Sequence, residues 1–307
     1  MTQHRWLPLA LLILLSLIWG TSFILIKQGL KAFDPEVVGA LRVSAAALFL
    51  LPIGLSRLRG LTPIHYRRLF LSGLMGIFIP SFLFAFAQTK LESAVTGIGN
   101  SLTPIFTLIL GAVLFGQRFH RSSLLGILVG LAGTVMLILT QTGQSISGVN
   151  AYSLLIIAAC LFYATNVNFI KYRIADLPSM TITSVSILLI GPFALGYLFG
   201  ATNFASAMAT TPGAWTAFGF VVFLGLMSTA IATVVFNRLV KISTPLFTTS
   251  VTYLIPLVAV MWGVLDGERL MFNHYLGMIA IVGGVYLANR RKAPALSPAK
   301  TYAHQNR

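Results

Sequence analysis

Trp19-Gly-Thr-Ser-Phe-Ile-Leu-Ile-Lys27 and Tyr163-Ala-Thr-Asn-Val-Asn-Phe-Ile-Lys171 are two versions of one stretch, 144 residues apart. Each closes a long apolar run with a lysine. Other pairs keep nearly the same separation. Gly73-Leu74-Met75 recurs as Gly225-Leu226-Met227 and Pro104 as Pro256, both 152 residues on. Gly126 and Gly133 recur as Gly277 and Gly284, 151 residues on. One match would mean nothing in so apolar a chain. Four in the same order indicate an internal duplication.

The repeated unit is built for lipid. Of 307 residues, 57% are apolar and 9% are charged, far below the charge of a soluble domain. A spanning helix needs about 20 mostly apolar residues. Ten runs meet that need, over 6–26, 36–56, 69–89, 93–116, 123–140, 150–170, 180–200, 214–236, 244–265 and 273–289. The first run could be mistaken for a signal peptide, but it lacks a convincing small-residue cleavage site and is read as a span. The expected fold is therefore an all-α membrane protein of ten transmembrane helices. Residues 1–142 form a first five-helix repeat and 143–291 a second, and 292–307 form a polar tail expected to be disordered.

Charge gives the orientation. With the N-terminus in the cytoplasm, cytoplasmic segments hold 16 of the 21 Lys and Arg residues and the other side holds 5. Positive residues stay inside, so both termini are expected to be cytoplasmic. The net charge of +15 is read as this membrane anchoring and not as a nucleic-acid surface. Five spans is an odd number, so the second repeat must lie inverted against the first. Inverted repeats are a transporter architecture, because two opposed copies can exchange conformations.

These features resemble the EamA family of the drug/metabolite transporter superfamily. The likeness is carried by Trp19-Gly-Thr-Ser-Phe with Lys27, by Arg42 early in span two, by Thr103-Pro104 and Ile255-Pro256, and by Gly267-Glu268-Arg269. It covers roughly residues 8–290. The chain departs from the family pattern at Gly116-Gln117, where Gly-Glu is usual. The resemblance implies two inverted repeats around a central solute cavity in the plasma membrane, here a bacterial inner membrane. It also implies export or exchange of metabolites such as amino acids.

In hydrocarbon a polar side chain needs a partner or a watery cavity. Thr96, Asn100, Thr103 and Thr107 share one face of span four, and span nine carries Thr249, Thr252 and Tyr253. Span three offers Ser81 and Gln88, and span eight Thr229, Thr233 and Asn237. These are expected to line one cavity; the plainer reading is hydrogen bonding between helices. Trp19 and Tyr163 are expected to wall it, flanked by Thr21, Ser22, Thr165 and Asn166, with core packing as the alternative. Pro104 and Pro256 lie mid-span, where each removes a backbone hydrogen bond and either kinks a helix permanently or lets it bend. Lys27, Lys171 and Arg42 are read as gating or cavity-mouth charges, against snorkelling anchors for the two lysines. Arg42 would pair with a carbonyl or a solute carboxylate.

None of Asp34, Glu36, Glu92, Asp176, Asp266 and Glu268 falls mid-span, which disfavours a cation antiporter. There is no Gly-x-x-x-x-Gly-Lys-Ser/Thr loop and no clustered His or Cys, with Cys160 the lone cysteine. No cofactor, metal or enzymatic activity is expected. The partners expected are a small neutral or zwitterionic solute and membrane lipid. A homodimer is left open, and a lipid scramblase or non-transporting scaffold is the alternative function.

Overall fold

The computed structural model describes residues 6–91, 93–117, 121–142, 151–265 and 272–289. The loop between Gly143 and Gly148, the tail after Arg291, and Glu92, Asp266, Glu268 and Arg269 lie outside these residues.

The described chain is helical. The first repeat holds α1 (Leu7–Gly29), α2 (Pro35–Ser56), α3 (Pro63–Gly73), α4 (Ile79–Ala87), α5 (Ser93–Asn100), α6 (Thr103–Phe115) and α7 (Arg121–Thr142). The second holds α8 (Ser153–Arg173), α9 (Ser179–Gly200), α10 (Phe204–Thr210), α11 (Ala214–Leu224), α12 (Ala232–Ile242), α13 (Pro245–Thr249), α14 (Val251–Leu265) and α15 (Phe272–Asn289). Six stretches are long and apolar enough to cross a membrane, with Pro63–Ala87 and Ala214–Ile242 each counted as one. Shorter apolar helices at Thr103–Phe115, Arg121–Met136, Pro245–Val258 and Tyr275–Ala288 supply the other four spans.

Two spans carry π-helical turns at their centres. Leu74–Phe78 joins α3 to α4 in span three, and Gly225–Ile231 joins α11 to α12 in span eight. These turns sit on the repeated Gly-Leu-Met segments. A π turn widens the helix and shifts the backbone bonding by one residue, a device common at functional sites. Spans four and nine are broken, at Ser101-Leu102 and at Ser250. Span three begins at Pro63, earlier than its apolar run predicts, because Thr62 and His65 form a capping box that starts the helix outside the apolar stretch. The short helix α10 fills a connection that hydropathy reads only as a break.

The repeats meet through matched contacts. A side chain on Gly225 would strike the carbonyl of Arg42 at 2.6 Å, and one on Gly73 would strike that of Ser186 at 2.8 Å. Gly225 and Gly73 are repeat equivalents, as are Arg42 and Ser186. Spans five and ten do the same with each other. A side chain on Gly126 would collide with the backbone of Gly284 and Ala288, and one on Gly133 with that of Gly277. Each contact maps onto its partner when the repeats are exchanged, so the two halves are related by a pseudo-two-fold axis. Small residues at these crossings let backbones touch, which matters in lipid because packing and not solvent expulsion drives helix association.

Candidate functional site

Spans one, three, four, six, eight and nine, with Arg42 from span two, enclose a central cavity. It holds about 900 Å³ of space between atoms, its open mouth included. Among the described residues, spans five, seven and ten contribute nothing to its wall.

The two π turns lie against spans one and six. Trp19 Nε1 donates to the Ser228 carbonyl at 3.0 Å, and its ring packs on Phe236 at 5.1 Å. Ser22 Oγ donates to Ile18 O at 3.0 Å, and Ser228 Oγ completes the chain 2.6 Å from Ser22 Oγ. In the opposite repeat, Ser81 Oγ donates to the Ile77 carbonyl at 2.7 Å. Asn166, the counterpart of Ser22, packs on Gly76, the counterpart of Ser228. Its Oδ1 accepts from Ser72 Oγ at 2.8 Å. Side chains thus take up carbonyls within both widened turns, as buried polar groups require.

Tyr163 stacks on Phe84 with ring centres 5.8 Å apart, and Phe84 meets Phe23 edge-on at 6.0 Å. This aromatic wall faces the cavity. Arg42 is buried, and its Nε donates to Thr229 Oγ1 at 2.6 Å. Among the described residues, no carboxylate lies within ion-pair distance of it.

The prolines act through the carbonyls they free. Pro104 cannot bond to Asn100 O, and Thr103 Oγ1 donates there instead at 2.7 Å. Pro256 leaves Thr252 O free, and Ser101 Oγ reaches across from span four to it at 3.3 Å. Both carbonyls therefore have protein donors. Neither proline faces the cavity.

The cavity brings together thirteen of the sequence-predicted residues: Trp19, Ser22, Arg42, Asn100, Thr103, Tyr163, Asn166, Asn237 and Thr252, with Ser81, Thr229, Thr233 and Thr249. Asn100 Oδ1 accepts from Thr103 Oγ1 at 3.2 Å, and Asn237 Nδ2 donates to Thr183 Oγ1 at 2.8 Å. Others lie elsewhere. Thr21 bonds back to Leu17 O in its own helix. Gln88 caps the end of α4 and does not reach the cavity. Tyr253 is fully buried against Gly130 of span five, and its hydroxyl donates to Ile127 O at 3.3 Å. The break at Ser250 shifts the helical phase, so the face shared by Thr249 and Thr252 does not include Tyr253. Lys27 is exposed on span one. Lys171 Nζ donates to the carbonyls of Val240, Lys241 and Ser243 at 3.0, 3.1 and 2.7 Å. A cation there closes the C-terminal end of span eight, where carbonyls lack helical partners.

Sequence reasoning missed Ser228, Gly76, Phe23 and Phe84. The repeated Gly-Leu-Met was the available signal for the first two, since it marks both π turns.

The EamA-like transporter family matches residues 6–139 and again residues 150–290. The chain belongs to this family. The two EamA matches fall on the two five-span halves. The inner membrane transporter YedA of Escherichia coli K12, itself uncharacterised, is 28% identical over 304 residues, covering 98% of this chain and 96% of YedA. A Salmonella typhimurium protein named "Probable amino-acid metabolite efflux pump" is 25% identical over 293 residues, covering 90% and 93%. A solved crystal structure superposes with a TM-score of 0.70 at 21% identity, over 92% of this chain and 96% of the other, and shows the shared fold. This EamA protein is a multi-pass membrane transporter of the drug/metabolite type, and not an enzyme.

Proposed function

We propose that this EamA protein exports or exchanges a small neutral or zwitterionic metabolite, an amino acid or a compound of similar size, by alternating access of its inverted repeats. The observation that carries the reading is the cavity between the repeats, lined by hydroxyl and amide groups. Such groups bind by hydrogen bonding, and an aromatic wall supplies apolar area. No carboxylate lines the cavity among the described residues, so a cationic solute has no counter-charge there. The efflux-pump relative adds weight to export. Residues 1–142 and 143–291 act as the two moving units. Both termini lie in the cytoplasm of a bacterial cell, on the strength of the basic loops.

Counterflow in proteoliposomes tests this. A panel of radiolabelled amino acids and related metabolites should yield at least one solute that exchanges, with no movement of labelled lipid. Trp19→Ala and Asn100→Ala should each cut that exchange about tenfold or more, since each removes a wall of the cavity. Normal exchange by both folded variants sinks the cavity as the binding site. Lipid movement without solute exchange sinks the transporter mechanism.

A further inference from the structure

The cavity is electrically lopsided. Arg42 and Ser186 are repeat equivalents and hold the same backbone position against Gly225 and Gly73. Thr229 and Ile77 are equivalents as well. In one repeat the pair is therefore a guanidinium and a hydroxyl 2.6 Å apart; in the other it is Ser186, whose buried hydroxyl has no partner, and an apolar side chain. The duplication supplied two matching places, and only one of them carries a charge.

Among the described residues, no carboxylate pairs with that charge. Asp176 is engaged with His65 at 3.1 Å, far along the chain ends of spans three and six. Asp34 accepts from Asn203 at 2.8 Å in the connections outside spans two and seven. Glu36 sits in the first turn of α2, on a different face from Arg42. Glu92, Asp266 and Glu268 fall between spans in the sequence. A lone guanidinium within a membrane is costly and ordinarily finds an anion. Its geometry suits a planar carboxylate, which can accept two parallel N–H bonds. One guanidinium balances one negative charge, so a carboxylate suits it better than a phosphate dianion.

We propose that Arg42, oriented by Thr229, is the carboxylate subsite of the cavity, and that the transported solute is a carboxylate with an apolar or aromatic body against Phe23, Phe84 and Tyr163. This deepens the transport reading above and rests on it. Thr229 takes the Nε of Arg42, which lines the cavity, and leaves its two Nη groups to serve the solute. The inverted counterpart, Ser186 with Ile77, offers no equivalent grip, so the solute binds in one polarity.

The test separates binding from transport. Purified full-length protein in detergent is melted in the presence of L-phenylalanine, 3-phenylpropionate, L-phenylalaninamide, 3-phenylpropionamide and 2-phenylethyl phosphate. The same compounds compete in counterflow. The two carboxylates should raise the melting temperature and compete, and the two amides should not. Arg42→Gln should weaken carboxylate binding about 10- to 100-fold, as expected for losing a charged hydrogen-bond partner. Arg42→Lys should recover part of it. Thr229→Val, which leaves the charge in place, should weaken it by a smaller factor and covers the case in which Arg42→Gln fails to fold. Amides binding as well as carboxylates, phosphate binding better than both, or no carboxylate-dependent shift overturns the subsite. Carboxylate binding without any counterflow leaves the subsite standing and overturns the transport reading instead.

Discussion

Ala47 packs on Gly191, its own counterpart 144 residues later, so the pseudo-two-fold axis passes between spans two and seven. A residue meeting its own equivalent is possible only where two copies cross at their symmetry axis. Spans five and ten cross at the other end of the same relationship, through Gly126 with Gly284 and Gly133 with Gly277. The cavity is walled by the other six spans, with Arg42 from span two.

Gly126→Leu should prevent the close crossing of spans five and ten. The new side chain would meet the backbone of Gly284 and Ala288, which cannot move aside as a flexible side chain could. Overpacking of this kind costs about 1–3 kcal/mol or more. Loss of monodisperse protein on size exclusion, or a clearly lower melting temperature, is the expected result. Wild-type stability would mean the backbones are not in contact.

Ser22→Ala and Ser228→Ala should be coupled. Their hydroxyls meet at 2.6 Å between span one and the π turn of span eight. A double-mutant cycle read by thermal or denaturant unfolding should give about 0.6 kcal/mol, the average for such bonds between membrane helices. Strict additivity would remove this contact from the account of how the π turn is held.

Lys171→Met should lower the melting temperature while leaving the apparent KM for the exchanged solute unchanged. Three carbonyls at the end of span eight would lose their donor. A buried acceptor left without a partner costs about 1–3 kcal/mol. A change in KM with no change in stability would restore the lysine to the cavity mouth.

Tyr253→Phe removes one hydrogen bond, to Ile127 O. The cost should be about 1 kcal/mol of stability, with solute affinity unaffected because the ring faces span five. Weakened solute binding in a normally stable variant would return Tyr253 to the site.

The prolines show how a correct reading of sequence can stop one step short. Their mid-span position announces two freed carbonyls. Which group satisfies those carbonyls is invisible in the chain, because Ser101 approaches Thr252 O from 151 residues away. Tyr253 shows the complementary failure. An unbroken helical period puts it with Thr249 and Thr252, and the break at Ser250 changes the phase by an amount hydropathy does not record.

The ten spans, the duplication and the inversion are all legible in the order of amino acids. Each follows from apolar run length, repeat spacing and an odd span number, and all three survive loss of every side-chain detail. Which polar residues face the cavity is set by how the spans pack. In lipid a hydroxyl or amide is equally content with a neighbouring helix or with a watery space, so helical spacing leaves the choice open. Rotation of each span about its own axis, set by glycine crossings, helix breaks and π turns, makes that choice. It is why Arg42 reaches Thr229 while Tyr253 turns to span five.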